Sequence, residues 1–300
     1  MSLAVILLNW RDEQRTLRCA RAVLDWRALK PHLFVVDNES TEASRGVLAH
    51  AVPDESLVYG AVNRGYGGGN NLGIERALAA NLDYILLLNT DAEISEAGVS
   101  RLLEALNGQP QIAIIAPVIQ EGSDQSLRVV GTRDIARYSR TRAVVPLNDL
   151  KKFGDYPIHE VDFVSGAVLL IRGSLLREIG LLDGEYFFSG EIADFCRRTR
   201  DRGHAIAVNL EVEARHDTGQ TPLHLREALY AYYGLRNRFL YVKKHHARKK
   251  IAYFAYWTII GAVGAVRALG RGRTARARAI LLALMHAYRG RYGNQNAEFL

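Results

Sequence analysis

Two carboxylates follow the end of an apolar segment near residue 90. The segment ILLLNTDAEI, residues 85–94, begins with four apolar residues, which is typical of a strand buried on both faces of a parallel sheet. Asp91 and Glu93 then stand two positions apart, so both charges would meet at the carboxyl end of that strand. Such carboxylates suit Mg²⁺ or Mn²⁺ shared with substrate phosphates, which would offset their repulsion. The alternative is a solvated loop that caps a helix.

The rest of the body alternates strand and helix patterns. Short apolar runs predict strands at residues 3–8, 33–36, 57–59, 84–88 and 112–116. Between them, helical stretches are predicted at about 12–29, 42–50, 71–80 and 96–107. This order indicates an α/β fold of right-handed βαβ units, with a mostly parallel sheet flanked by helices. In such a sheet, ligands bind at the carboxyl ends of the strands.

Four of these strand ends are unusually polar. They carry Asn9 and Trp10, residues 37–41, the glycine-rich segment 63–73, and residues 89–93. Structural explanations exist for some of them, because Ser40 and Thr41 can cap a helix and Trp10 can pack in the core. All four clusters nevertheless fall on one edge of one predicted sheet, which indicates a ligand site.

The glycine-rich segment NRGYGGGNNLG departs from the known phosphate-binding patterns. It lacks the third glycine of G-x-G-x-x-G, since the sixth position falls on Asn70 or Leu72, and it contains no G-K-[ST]. A dinucleotide-binding fold and a P-loop are therefore poorly supported. Exposed backbone N–H groups near a helix start, with Arg64 and the amides of Asn70 and Asn71, instead suit a nucleotide or its phosphates.

Charge divides the chain into two parts. The 300 residues carry a net charge of +7, but residues 228–300 hold 14 Lys and Arg against one acid, a net of +13. Residues 1–227 carry 25 basic and 31 acidic side chains, a net of −6. This asymmetry predicts that the two parts meet different partners. Two widely separated cysteines, Cys19 and Cys196, and the lack of a signal-peptide pattern favour reduced thiols in the cytoplasm.

Six segments, in this order and spacing, resemble the family 2 glycosyltransferases, especially the rhamnosyltransferase-like branch. They are VILLNW (5–10), VVDNEST (35–41), NRGYGGGNNLGI (63–74), LLLNTDAEI (86–94), VDFVSGAVLLIR (161–172) and FFSGEIADFCRR (187–198). The resemblance extends from about residue 3 to 240. It implies a GT-A fold, a nucleotide-sugar donor, a divalent metal ion and inversion at the anomeric carbon.

The resemblance also implies roles for individual residues and regions. The donor-binding residues it implies are Asn9, Trp10, Asp37, Asn63, Arg64, Asn70 and Asp91. Its metal-binding residues are Asp91, Glu93 and His216. We expect a catalytic domain at residues 1–222, with a donor half to about 120 and an acceptor half from 121, followed by a basic helical region at 223–300.

The candidate base departs from the family pattern. GEIADFCRRTRDRG predicts a helix with Glu191 and Asp194 on one face. An inverting transfer needs a carboxylate that takes the proton of the acceptor hydroxyl. Relatives commonly show adjacent Glu-Asp followed two residues later by Asp, whereas here Ile192 stands at the usual base position. Either Glu191 or Asp194 has taken the role, with Glu191 favoured because it follows Gly190, or both acids only form ion pairs.

Three functions therefore remain open at the level of sequence. The first is a glycosyltransferase that moves a sugar from a UDP- or dTDP-sugar to a glycan or a lipid-linked saccharide. The second is a nucleotidyltransferase, which would be expected to carry a glycine-rich, lysine-bearing loop after the first strand, where NWRD stands instead. The third is a non-catalytic relative that binds nucleotide-sugar or membrane, in keeping with Ile192.

The C-terminal region predicts contact with a membrane surface. Residues 251–266 are uncharged and lie between basic flanks; as a helix they would span about 24 Å, short of a hydrocarbon core of about 30 Å. Tyr253, Tyr256 and Trp257 favour the interface. We expect peripheral binding to the anionic inner face of the cell membrane. The alternative is a helical cap on the catalytic domain or on a second subunit of a homo-oligomer. No nucleic-acid module accompanies the arginines.

Overall fold

The computed structural model describes residues 1–39, 41–121, 127–137, 142–146, 157–217 and 223–298. Its strands are β1 (Leu3–Asn9), β2 (His32–Asn38), β3 (Leu57–Gly60), β4 (Tyr84–Leu88), β5 (Ala92–Glu93), β6 (Ile112–Glu121), β7 (Leu127–Thr132), β8 (Arg142–Pro146), β9 (Ile158–Glu160), β10 (Val168–Arg172) and β11 (Ala205–His216). Its α-helices are α1 (Glu13–Leu24), α2 (Glu42–Ala49), α3 (Gly65–Ala79), α4 (Glu96–Gly108), α5 (Gly173–Ile179), α6 (Glu191–Asp201), α7 (Leu223–His245), α8 (Lys250–Leu269) and α9 (Thr274–Arg289).

A mixed sheet forms the centre of the molecule, in the strand order β3-β2-β1-β4-β10-β6-β11-β5. The first four strands pair in parallel, as the βαβ pattern predicts. Strand β10 reverses direction between β4 and β6, and β11 runs parallel to β6. The carboxyl ends of β1, β2 and β4 therefore lie at one edge of the sheet.

Apolar residues alternate between the two faces of this sheet. Val5 and Leu7 of β1 join the layer that contains residues of α1, α2 and α4, whereas Ile6 joins the layer that contains residues of α3, α5 and α6. Burial on both faces explains why β1 and β4 are continuous apolar runs rather than alternating ones.

The glycine-rich segment forms a helix rather than the predicted loop. Helix α3 begins at Gly65, whereas the sequence predicts its start near residue 71. A Cβ atom at Gly69 would lie 2.6 Å from Cδ1 of Leu8, and one at Gly73 would lie 2.7 Å from Cγ2 of Ile6. The glycines therefore allow the helix backbone to pack directly on β1, so close packing accounts for them.

Helix α1 ends at Leu24, earlier than the sequence pattern predicts. The carboxylate of Glu96 accepts hydrogen bonds from the backbone N–H groups of Arg27, Ala28 and Leu29 at 2.7–3.2 Å. These groups would bond within α1 if the helix continued. A distant acid therefore stabilises the turn that leads into β2.

The three C-terminal helices pack together and against a layer that includes Tyr186 and Ala193. Helix α8 buries Trp257, Gly261, Ala265 and Ala268 toward its neighbours. By length and composition, segment Ala247–Leu269 could cross a membrane. The sequence analysis considered only residues 251–266, and that shorter stretch does not reach across the hydrocarbon core. In the structure, 22% of the most apolar 18-residue window of this segment is buried inside the protein. The expected boundary at residue 222 and the cap role of Ser40 lie outside the described residues.

Candidate active site

A cavity of about 800 Å³ opens between the carboxyl edge of the sheet and the C-terminal helices. Tyr66, Asn89 and Gly166 line one part of its wall, and the start of α6 lines the next. Helices α7, α8 and α9 supply a further part of the wall, so both the body and the basic region contribute to the same cavity. Among the predicted site residues, Glu191 and His216 line this cavity.

Glu191 is the first residue of α6 and lies buried in the cavity wall. Its Oε2 atom is buried, and within the described part of the chain no group donates a hydrogen bond to it. Burial raises the pKa of Glu191 to about 7; its own backbone N–H acts in the opposite direction, and the charge of Asp194 raises the pKa further. A carboxyl group in this state can accept a proton near neutral pH.

Asp194 lies one turn further along α6 and has very different surroundings. Its carboxylate accepts hydrogen bonds from Arg198 Nε at 2.9 Å, from the hydroxyl of Tyr186 at 3.2 Å, and from His245 Nε2 at 2.7 Å. Burial alone would raise the pKa of Asp194, but the hydrogen bonds from His245 and Arg198 outweigh it and hold the pKa below its usual range. Asp194 is thus an ion-pair residue that joins α6 to α7.

Ile192, at the position usually credited with the base, packs in the apolar layer beneath the cavity. A Cβ atom at Gly166 would lie 3.2 Å from Cγ1 of Ile192 and 3.4 Å from the Tyr66 hydroxyl. Because the Tyr66 hydroxyl also donates to the carbonyl of Gly166 at 2.5 Å, this wall is closely packed and fixed. The cavity therefore has one carboxyl group at the start of α6, that of Glu191.

The turn that leads into Glu191 has an unusual backbone. Phe187, Ser189 and Gly190 have φ angles of 62°, 66° and 108°, which lie in the left-handed region. For a residue other than glycine this conformation costs about 1–2 kcal/mol. A Cβ atom at Gly190 would also lie 2.8 Å from the Tyr186 ring. This backbone therefore needs support from outside the turn.

Two buried side chains of α7 supply that support. The amide of Asn237 donates to the carbonyls of Tyr186 and Phe188, each at 2.9 Å, and also to that of Ser189. The fully buried Arg236 donates to the carbonyl of Tyr186 at 3.0 Å and to Oδ1 of Asn237. The C-terminal region thus fixes the turn that precedes Glu191.

The predicted metal residues are brought together only in part. Strand β5 pairs with the end of β11, which sets Asp91 Oδ1 3.1 Å from His216 Nε2. Glu93 is exposed, and in the described ranges no group of three or more His, Cys, Asp and Glu residues is arranged to hold a metal ion. A carboxylate oxygen beside an imidazole nitrogen fits a first-row divalent ion that takes its other ligands from substrate and water.

Asn9 at the end of β1 and Asp37 near the end of β2 are buried and hydrogen-bonded to each other. Asn9 Nδ2 donates to Asp37 Oδ1 at 2.8 Å, and its own Oδ1 accepts from Thr16 at 2.7 Å. Ser44 donates to the second oxygen of Asp37 at 2.8 Å. This network connects the ends of β1 and β2 to α1 and α2, and it therefore stabilises the carboxyl edge of the sheet.

Trp10, by contrast, is exposed, and its indole N–H donates to Glu39 at 3.0 Å. Arg11 pairs with the same carboxylate at 3.0 Å. Both Arg11 and Glu39 have positive φ angles, which indicates that the loops after β1 and β2 are held in a defined shape. An exposed indole held in this way offers an aromatic surface beside the strand ends.

The three remaining predicted donor residues belong to the start of α3. Asn63 Oδ1 accepts from the N–H of Gly65 at 2.8 Å, and the N–H of Arg64 donates to Asn38 Oδ1 at 2.9 Å. The Arg64 side chain is exposed, whereas Asn70 is buried and donates to the carbonyl of Tyr66. Asn63 and Asn70 therefore shape this helix start, and Arg64 is the cation exposed there.

Sequence reasoning missed Tyr66, Arg236 and Asn237. The sequence does hold a signal for this pair on α7, since Arg236, Asn237 and Arg238 interrupt an apolar helical stretch between Leu235 and Phe239. A polar pair at such a place predicts buried hydrogen bonds. Its partners, the carbonyls before Glu191, are visible only in the fold.

Comparison with known proteins agrees with this architecture. Residues 2–175 match the profile of Glycosyl transferase family 2. The chain is 26% identical over 239 residues to the low-salt glycan biosynthesis hexosyltransferase Agl10 of Haloferax volcanii, covering 79% of this chain and 74% of that relative.

Two solved structures share the fold. The mannosyltransferase PcManGT from Pyrobaculum calidifontis, in complex with GDP-Man and Mn²⁺, aligns with a TM-score of 0.59 at 15% identity over 95% of this chain and 86% of its own. GalNAc-T7 with UDP, GalNAc and Mn²⁺ aligns with a TM-score of 0.55 at 14% identity, over 79% and 49%. The fold is GT-A, as predicted, and the protein is a glycosyltransferase that belongs to family 2.

Proposed function

We propose that this glycosyltransferase inverts the anomeric centre and uses Glu191 as its base. The observation that carries the proposal is the Glu191 carboxyl group, which is buried in the cavity wall with one oxygen lacking a donor among the described residues. An acceptor hydroxyl in the cavity would supply that donor. Its proton then passes to the carboxylate as the hydroxyl oxygen bonds to the anomeric carbon and the nucleoside diphosphate leaves. A single displacement of this kind inverts the centre.

The donor in this proposal is a UDP- or dTDP-sugar bound at the carboxyl edge of the sheet. Exposed Trp10 offers its ring to the nucleobase, and the buried pair Asn9–Asp37 holds that edge in place. The exposed guanidinium of Arg64, at the start of α3, is available to the diphosphate. Asn63 and Asn70 support the backbone of this helix start.

Asp91 and His216 are the residues proposed to hold Mg²⁺ or Mn²⁺. Their adjacent oxygen and nitrogen atoms fit such an ion, and Glu93 is a further ligand only if its exposed side chain turns inward. When bound, the ion would neutralise charge on the leaving diphosphate. Asp91 also shares backbone contact with the end of β11, because the N–H of Asp217 donates to its carbonyl at 2.9 Å.

The acceptor is proposed to be a saccharide, lipid-linked, at the cytoplasmic face of the membrane. Residues 1–222 form the catalytic domain in this proposal, and the basic region 223–300 attaches it to the anionic surface. Two features support the attachment: the 14 basic residues of segment 228–300 and the exposed apolar side chains of α8. Each Lys or Arg near an anionic leaflet contributes about 1 kcal/mol at low salt.

A thermal-shift screen over nucleotide-sugars, with and without Mn²⁺, tests the donor and metal assignments together. Binding to the native state raises the melting temperature. We expect a shift that requires Mn²⁺ and disappears in Asp91→Asn, with transfer or donor hydrolysis lost in the same variant. Glu93→Gln is the matched variant, and it separates a ligand role from a surface role. Full activity of Asp91→Asn, or of the native protein in excess chelator, would exclude the metal site.

A further inference from the structure

The turn that precedes Glu191 depends largely on a single amide group of α7. Of the four carbonyl groups of residues 186–189, three accept a hydrogen bond from the side-chain amide of Asn237. The fourth, that of Phe187, accepts from the N–H of Tyr66 at 2.8 Å. Buried carbonyl groups are costly to leave without a donor. The shape of this turn therefore depends on the position of Asn237.

Arg236, the neighbouring residue, fixes the orientation of that amide. Nε and Nη2 of its guanidinium donate to Oδ1 of Asn237 at 3.0 and 2.9 Å. A guanidinium only donates, so the amide oxygen must face Arg236 and the amide nitrogen must face the carbonyls of the turn. Asn237 lines the cavity, but both ends of its amide are already engaged by the protein. Its side chain therefore serves the turn rather than a ligand.

Residues 292–296, which we call the tail segment, hold this pair of residues in place. Nη1 of Arg236 donates to the carbonyl of Gly293 at 2.8 Å. The hydroxyl of Tyr233 donates to Oδ1 of Asn296 at 2.7 Å and accepts from the N–H of the preceding residue at 3.1 Å. A continuous set of contacts thus connects the tail segment, through α7, to the backbone that carries the candidate base.

Several features of this arrangement reduce stability. Phe187 and Ser189 have positive φ angles, and Arg236 is fully buried with no carboxylate partner in the described part of the chain. Its guanidinium lies 4.7 Å from the ring centre of Tyr233 and bonds to neutral groups, which makes its burial costly. Strain persists where the surrounding structure imposes it, and it clusters at functional sites. Here it is concentrated at the turn before Glu191, so the position of that carboxyl group is the property it serves.

We propose that Asn237 is a positioning residue: it holds the turn so that the Glu191 carboxyl group stays in the cavity wall, and Arg236 and the tail segment hold Asn237. This proposal rests on the proposed role of Glu191 as the base and goes beyond it, because α7 and the tail segment become part of the catalytic apparatus. Without their support, the carboxyl group would turn toward water and away from the acceptor hydroxyl. The basic region then serves turnover directly, apart from any contact with a membrane.

Ionisation of Glu191 in the full-length protein, followed by NMR with ¹³C-labelled glutamate and assigned with Glu191→Gln, tests the proposal without a substrate. Burial holds the pKa of Glu191 at about 7 in the native protein. Asn237→Leu keeps the size of the side chain and adds no charge, and it leaves the titratable neighbours Asp194 and Tyr66 in place. We expect the pKa of Glu191 to fall by about one pH unit or more, because the carboxyl group gains access to water. An unchanged pKa in folded Asn237→Leu would overturn the proposal, since a contribution to overall stability alone leaves it unmoved.

Tyr233→Phe tests the same support with a smaller change. It removes two hydrogen bonds to the tail segment and keeps the ring beside Arg236. We expect the pKa of Glu191 to fall by less than in Asn237→Leu. Tyr84→Phe is the matched control, because it also removes a hydroxyl with two side-chain partners, at the start of β4, and it should leave that pKa unchanged. If Asn237→Leu does not fold, an unchanged pKa in Tyr233→Phe overturns the proposal instead.

Hydrolysis of UDP-glucose and dTDP-glucose gives a second readout. Asn237→Leu should lower kcat at least about tenfold and change KM only a few-fold, because positioning acts on the base and not on the donor. The pH below which kcat/KM falls should also be lower in this variant, in step with the pKa of Glu191. A rise in KM with kcat intact would place Asn237 in substrate binding and would overturn the positioning role.

The two readouts also separate this proposal from the proposed function. If Glu191→Gln keeps full turnover, the base assignment fails, whereas the NMR titration still reports whether Asn237 holds that carboxyl group. If Glu191→Gln loses turnover while the pKa of Glu191 is the same in Asn237→Leu, Glu191 remains the base and the positioning role of Asn237 fails.

Discussion

The two carboxylates of α6 stand one helical turn apart and have opposite surroundings. Glu191 faces the cavity and has an oxygen without a described donor, whereas Asp194 accepts bonds from Arg198, Tyr186 and His245. The pKa of Glu191 is therefore raised, and that of Asp194 is lowered. Two acids on one face of one helix are thus separated by environment into a carboxyl group of raised pKa and an ion-pair residue.

The first prediction concerns turnover, where the two carboxylates should differ most. Glu191→Gln should lower kcat by about 10²–10⁴-fold, the usual contribution of a general base, with little change in donor affinity. Transfer or donor hydrolysis measures kcat, and the thermal shift with nucleotide-sugar measures donor binding. Asp194→Asn serves as the control, and its kcat should stay within a few-fold of the native value. Should Asp194→Asn be the damaging change instead, the base lies one turn further along.

The pH dependence of activity follows from the same difference. The base must be ionised, and the pKa of Glu191 lies at about 7 because of burial. We expect kcat/KM to fall about tenfold per pH unit below pH 7 and to level off above it. In Asp194→Asn the fall in kcat/KM should begin at a lower pH, because the loss of the Asp194 charge lowers the pKa of Glu191. A profile that is flat between pH 5 and 8 would argue against Glu191.

Much of the carboxyl edge of the sheet could be predicted from sequence, because it depends on where the strands end. The strands β1, β2 and β4 lie where apolar runs predict them, and polar residues follow them in register. The helical form of the glycine segment could not be predicted, since it depends on contact between Gly69 and Leu8 across the fold. Local propensity favours a loop there, and tertiary packing overrides it.

The distinct roles of Glu191 and Asp194 were also beyond the sequence. Sequence spacing does place Arg198 four residues after Asp194, where it can pair with that acid. It does not show the second partner, His245, which lies about fifty positions away on α7, or the burial of Glu191. Those two features arise from long-range packing, and they contribute to the opposite pKa shifts.

The third prediction concerns the free energy of unfolding, which Glu191→Gln should raise although the same substitution lowers turnover. The pKa of Glu191 rises from 4.5 to about 7 on folding, so the folded protein binds the extra proton between these values. Its ionisation therefore costs stability as pH rises through this window, by about 3 kcal/mol above pH 7. We expect Glu191→Gln to gain that much in stability relative to the native protein between pH 4 and pH 8, as measured by urea unfolding. A stability difference that does not change with pH would mean that Glu191 is ordinarily solvated.

Asp194 gives the fourth and smallest expected effect, of the opposite sign. Asp194→Asn removes the charge that Arg198 and His245 share, and we expect a loss of about 2 kcal/mol at pH 7. The pKa of this carboxyl lies below its ordinary value of 3.8, so its stabilisation is complete above that value and is lost as pH falls through the folded pKa. The defect should therefore shrink toward pH 3, while the Glu191→Gln difference has already vanished near pH 4.

Arg198→Gln and the double variant complete a cycle in which we expect clear coupling, since the guanidinium and carboxylate are 2.9 Å apart. Additive losses would show that Arg198 stabilises only the carbonyls of Ile179 and Leu181, to which it also donates.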